Sequence, residues 1–160
     1  MTDVSIRARA ETSGSADRLS HEPEAALRIV VILGLLGTAL IHLLDLPGTI
    51  GSDPVQGTLY LVLMAACLLS GFLLLQVTSP TRWALAGVIA ASAATAYVLT
   101  RSVGIPLVDN SDIGNWGDPL GIASLFVEGL VVLAAGDGIW LSYLRSTGKP
   151  LRSTGRGGRW

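Results

Sequence analysis

The stretch "DPVQGTLYLVLMAACLLSGFLLLQVTSPTR", residues 53 to 82, carries 28 residues between Asp53 and Arg82 without one charged side chain. At a rise of ~1.5 Å per residue, roughly 20 apolar residues in a helix cross a ~30 Å hydrocarbon layer, so this stretch has spanning length. The same feature recurs on either side of it. There are 18 uncharged residues between Arg82 and Arg101 and 16 between Arg28 and Asp45, and Pro119 to Leu144 holds only Glu128 and Asp137. Half of the 160 residues are apolar and 14% are charged, against about a quarter charged in a soluble globule. The sequence therefore predicts an all-α, four-helix transmembrane bundle over residues 23–146, with helices near 25–46, 55–77, 81–102 and 119–144. The flanks, 1–22 and 147–160, are rich in Ser, Thr, Gly and charge and read as disordered tails.

Prolines give an independent check. Glu22-Pro23, Asp53-Pro54, Ser79-Pro80 and Asp118-Pro119 each set an acid or hydroxyl before a proline, the pattern of an N-cap followed by the first helical position. Pro47, Pro106 and Pro150 follow the first, third and fourth helices, where proline ends a helix. On this reading none of the seven falls inside a helix.

The charges are sorted by side. Arg7, Arg9, Arg18, Arg28, Arg82, Arg145, Lys149, Arg152, Arg156 and Arg159 fall on one side of a four-pass layout, and the opposite loops hold Asp45, Asp53, Asp109, Asp112 and Asp118 with Arg101 at their margin. By the positive-inside rule both termini are cytoplasmic, in a plasma (inner) membrane. Trp83, Trp140 and Tyr143 are assigned to the cytoplasmic interface, Tyr60 and Trp116 to the outer one. A cleaved signal peptide is the competing account of the first helix; the 24 polar, mixed-charge residues ahead of it and the lack of a small-x-small site after Leu46 argue against it. The lone Cys67 falls mid-span, where a thiol packs as a small hydrophobe.

Small residues mark packing faces, because association inside lipid rests on close backbone approach. Gly87, Ala91 and Thr95 recur every four residues in the third helix, and Gly34 and Thr38 lead along one face of the first to His42 and Asp45. Tyr97 and Arg101 share a face at the outer end of the third helix. Glu128 lies nine residues inside Pro119, ~13 Å deep, on a face with Gly121 and Ser124. Ionisable groups in a membrane face the bundle interior, so His42, Asp45, Tyr97, Arg101 and Glu128 form the expected polar cluster, with Arg101 reaching inward to pair with Glu128. Asp137, between glycines, is expected at a kink or at the helix exit.

No nucleotide-binding, hydrolase or zinc-protease motif occurs, and nothing in the chain points to nucleic acid. His42, Asp45 and Glu128 lack the spacing of a metal site, and a bis-histidine haem would take His42 from two chains. No cofactor is expected; metal or haem stays open as a third reading. Residues 100 to 128, "TRSVGIPLVDNSDIGNWGDPLGIASLFVE", resemble small four-helix membrane proteins of actinobacterial type through Arg101, Gly104, Pro106 and Glu128, with Thr100 and Ser102 departing from that pattern around the arginine. The resemblance implies a membrane location and no activity. Two functional readings remain: a non-enzymatic accessory or assembly subunit, in contact with the lipid bilayer and part of a homo-oligomer or larger membrane complex, or a small transporter or proton/cation relay working through Glu128.

Overall fold

The computed structural model describes the backbone of residues 2–108 and 110–147 and the side chains from residue 24 onward. Four helices follow one another, α1 (Thr2–Ser52), α2 (Pro54–Gln76), α3 (Pro80–Ser102) and α4 (Pro119–Ser146), with no strand among the described residues. All four are long and apolar enough to cross a membrane, α1 through its segment Glu24–Ser52. The expected tail 147–160 lies outside the described residues beyond Thr147. Of the expected tail 1–22, only the helical backbone of α1 from Thr2 is described.

Three of the four proposed starts have the anticipated chemistry. Asp53 caps α2, its Oδ1 accepting from the amides of Val55 at 3.0 Å and Gln56 at 2.9 Å. Ser79 accepts from Arg82 N at 3.3 Å at the head of α3. Asp118 caps α4 through the amides of Leu120 at 3.2 Å and Gly121 at 3.1 Å. Each places a proline in the first turn, where no amide partner is required.

Pro23 and Pro47 correct the boundary rule, because α1 runs through both. Beyond Pro47 the last turns are held by Thr49 Oγ1 donating to Asp45 O at 3.1 Å, by Asp53 N donating to Thr49 O at 2.7 Å, and by Ile50 lying against Gly57 of α2. Neighbouring helices and hydroxyls make proline tolerable inside such a helix. The first helix therefore ends at Ser52 rather than near 46, Asp45 lies in a helix rather than a loop, and one residue, Asp53, joins α1 to α2.

The bundle is turned outward relative to a soluble protein. Leu33, Leu44, Val62, Phe72, Phe126 and Leu133 are exposed, while Thr38, Ser70, Ala86, Ala90, Ser124 and Glu128 are buried. Large apolar groups outside and small or polar groups inside match a hydrocarbon solvent and close helix packing. α1 packs along α2 and α4, and α4 along α3; α2 and α3 touch least of the neighbouring pairs.

In α3 the buried line is Trp83, Ala86, Ala90, Ala93 and Arg101. This corrects the Gly87/Ala91/Thr95 seam: Gly87 and Ala91 lie at its edge, and Thr95 is exposed, its hydroxyl donating to Ala91 O at 2.7 Å instead of across helices. The burial of the Trp83 indole rotates the helix by about one position. Trp83 is thus buried between helices, and it lies so close to Gly138 of α4 that a Cβ there would overlap its ring. Gly34 and Thr38 are buried in α1, with Gly34 against Val131 of α4. α4 continues for nine residues past Asp137 to Ser146, so Asp137 is an exposed position within the helix and not its exit.

Candidate functional site

The two ends of the bundle differ in charge. At one end Arg82 Nη1 donates to the α2 carbonyls of Leu73 at 2.7 Å and Val77 at 2.9 Å, Arg28 donates to Leu75 O, and Arg145 pairs with Glu24. Cations at the C-terminus of α2 satisfy its open carbonyls and favour its dipole. The other end gathers Asp45, Asp53, Asp112 and Asp118 around Arg101.

Two adjoining spaces lie at that acidic end and share part of their walls. The outer one, about 410 Å³, is a vestibule walled by side chains such as Asp53, Ser111, Asp112 and Asn115. The inner one, about 370 Å³, is mostly apolar and extends to Ser124 and Glu128. Asp45, Gln56, Tyr60, Arg101 and Asp118 line both and form the ring between them. Beyond Glu128 the bundle is closed by a core of Val31, Leu35, Leu74, Trp83, Val131 and Ala135.

The ring is built by hydrogen bonds from three helices and a loop. Gln56 Nε2 donates to Tyr60 Oη at 2.8 Å, and Tyr60 Oη donates to Asp45 Oδ2 at 3.1 Å, tying α2 to α1. His42, one turn before Asp45, meets the Tyr60 ring edge-on at 4.7 Å. Its Nδ1 stands 2.9 Å from Thr38 O; a carbonyl only accepts, so Nδ1 carries the proton there and Nε2 is the nitrogen left for other partners.

Arg101 is 8% exposed and lies over the Tyr97 ring at 5.1 Å. It forms ion pairs with Asp112 and, at 3.4 Å, with Asp118. The loop that supplies Asp112 is anchored on the same residue, since Gly114 N donates to Arg101 O at 2.9 Å. It leaves α3 at Gly104, whose φ of +78° suits a residue without a Cβ. The expected Arg101–Glu128 pair is therefore corrected: the guanidinium is taken by two loop aspartates that lie nearer the mouth.

Glu128 is 1% exposed. Its Oε1 accepts from Ser124 Oγ at 2.6 Å, and its Oε2 has no protein partner. Gly121, two turns before Glu128, lies against Tyr97 so closely that a Cβ would overlap the ring, which brings α4 up to α3 at the cavity wall. Neither Asp45 nor Glu128 has an ion-pair partner among the described residues. The structure thus places all five expected cluster residues, His42, Asp45, Tyr97, Arg101 and Glu128, on one cavity. His42, Asp45 and Glu128 do not converge as a metal site, and no group of three or more His, Cys, Asp or Glu among the described residues does so. Tyr60, Gln56 and Asp118 were missed as site residues; the i, i+4 spacing of Gln56 and Tyr60 was the available signal.

Fold and site together define a four-helix bundle of membrane-spanning proportions with a cavity in its acidic half that stops at a buried carboxyl group. No family model matches the chain, and no curated protein or solved structure shows significant similarity to it.

Proposed function

We propose that this chain is a four-pass plasma-membrane protein with both termini cytoplasmic, acting without catalysis as an accessory or assembly subunit that holds a small ligand in its outward-facing half. The observation that carries the reading is a cavity closed toward the basic end, which lies beneath the polar vestibule and the Asp45–Tyr60–Arg101 ring, reaches Glu128 and stops at a packed core. A space closed toward one end of the bundle holds a molecule; conduction needs a passage between the two ends. Orientation is supported by Arg28, Arg82 and Arg145 meeting at the opposite end, the basic side that the positive-inside rule assigns to the cytoplasm.

Single cysteines at Ser52, Thr81 and Ser111, all exposed, test the orientation in a Cys67→Ala background. Positions 52 and 111 should react with an impermeant maleimide on intact cells, and position 81 only after lysis. Reaction of position 81 alone on intact cells would invert the topology.

A second reading, a proton or cation relay through Glu128, is favoured by its Oε2 lacking a protein partner. Proteoliposome flux separates the two: the binding reading expects no ion flux above that of empty vesicles, whereas flux abolished by Glu128→Gln would establish the relay.

A further inference from the structure

Resting on the ligand-holding reading, we propose that the inner cavity binds a compact organic cation, an ammonium carried on a small apolar or aromatic body, with Glu128 as its counter-charge. Three independent features of the cavity specify that chemistry.

The first is charge. Arg101 is the cation of the cavity wall, and Asp112 and Asp118 neutralise it close to the mouth. Asp45 and Glu128 face the cavity without an ion pair among the described residues, with His42 as a neighbouring base on the same wall, and Glu128 presents a buried oxygen with no protein donor. A cationic ligand supplies what the protein does not, in surroundings where little water screens the attraction.

The second is the wall. Most of the lining is apolar, with the rings of Tyr60 on α2 and Tyr97 on α3 in the wall. An ammonium with an apolar body gains burial from the aliphatic wall and cation–π attraction from the Tyr60 ring, whereas a hydrated inorganic ion gains neither. At about 370 Å³ the space is near the lower limit of small-molecule sites, which restricts the ligand to a compact one.

The third is access. Leu59 and Val62 of α2 and Ser92 and Ala96 of α3 line the cavity and are also exposed on the outer surface, along the seam where α2 and α3 touch least. The cavity therefore opens sideways as well as toward the acidic vestibule. An amphipathic cation, which concentrates at a bilayer surface, meets both openings. Glu128 lies ~13 Å along α4 from Pro119, beyond the reach of a lipid headgroup ammonium, so the ligand is a free molecule.

The test is equilibrium binding of tritiated benzyltrimethylammonium, whose charge is permanent, to the full chain in phosphatidylglycerol nanodiscs. The neutral isostere neopentylbenzene serves as competitor. Saturable binding that the unlabelled cation displaces and the neutral isostere does not, and that Glu128→Gln weakens at least tenfold, is expected. Ala66→Leu, which fills the cavity without touching its charge, should weaken it comparably and carries the test if Glu128→Gln does not fold. Displacement by the isostere as effective as by the cation, or full affinity in a folded Glu128→Gln protein, would overturn the cation assignment. At equal surface charge, binding tenfold weaker in equimolar phosphatidylglycerol–phosphatidylethanolamine discs than in equimolar phosphatidylglycerol–diglucosyldiacylglycerol discs would overturn the free-molecule assignment by making the lipid headgroup the occupant. If the cation does not bind while a cysteine at Ser124 still reacts with a water-soluble thiol reagent, the cavity stands and this inference falls. If position 124 is also unreactive, the ligand-holding reading falls with it.

Discussion

Trp83→Ala should destabilise the bundle by about 3–5 kcal/mol, the range for removing a fully buried aromatic side chain. The indole is wholly buried among α3 and α4 residues, and its contact is shaped by Gly138, where any Cβ would overlap the ring. Inside lipid this packing is a principal source of association, so the hole left by alanine is not offset by hydrophobic collapse. Trp83 Nε1 has no hydrogen-bond partner in the protein, so Trp83→Phe loses ring volume but no hydrogen bond and should cost less than half as much. Gly138→Ala alone should be severe through overlap, yet mild in the Trp83→Ala background, where the added methyl enters the vacated space. Reversible unfolding in mixed detergent micelles measures all four proteins. Additivity of the two changes would show that Trp83 and Gly138 do not share one contact.

Arg101→Met should cost about 2–3 kcal/mol and release the segment between α3 and α4. Breaking a fully buried pair costs ~3–5 kcal/mol because a charge is left behind unpaired. Here the side chains of Asp112 and Asp118 are 36% and 30% exposed, so water takes up part of that charge and the lower figure applies. Asp112→Asn should do less harm, since Asp118 remains at 3.4 Å and Tyr97 still covers the guanidinium. The Arg101 carbonyl still accepts from Gly114 in every variant, so the loop should loosen while α3 persists. Protease cleavage between residues 104 and 117 in the Arg101→Met protein, absent in wild type, reports that loosening. Equal stability of Arg101→Met and wild type would reduce Arg101 to a surface anchor.

The helices were legible because each of α2, α3 and α4 begins with a side-chain acceptor followed by proline, a local signal that needs no tertiary information. Pro47 misled for the converse reason: its tolerance depends on Thr49, on Asp53 and on the packing of Ile50 against Gly57, contacts that exist only once α1 and α2 have met. The α3 seam was displaced by about one position because small residues occur all round that helix and no polar face fixes its rotation; the burial of Trp83 does. In the site, the depth of Glu128 and the i, i+3 relation of His42 and Asp45 follow from helical geometry, and those residues do share a cavity. The partners of Arg101 did not follow. They lie 11 and 17 residues downstream, one in an irregular loop and one at a helix cap, where no periodicity relates sequence separation to distance.

The cavity lies in the acidic half of the bundle, reaches Glu128 and goes no further toward the basic end. Its most direct test is the reactivity of single cysteines in a Cys67→Ala background toward a small, charged methanethiosulfonate applied to each face of oriented membranes. Ser124, which hydrogen-bonds Glu128, and Ala135, in the core beyond it, are the two positions. Cysteine at 124 should react from the acidic face alone, and cysteine at 135 from neither face. Reaction of position 135 from the basic face, or equal reaction of position 124 from both faces, would show a passage through the bundle and contradict a site closed toward the basic end.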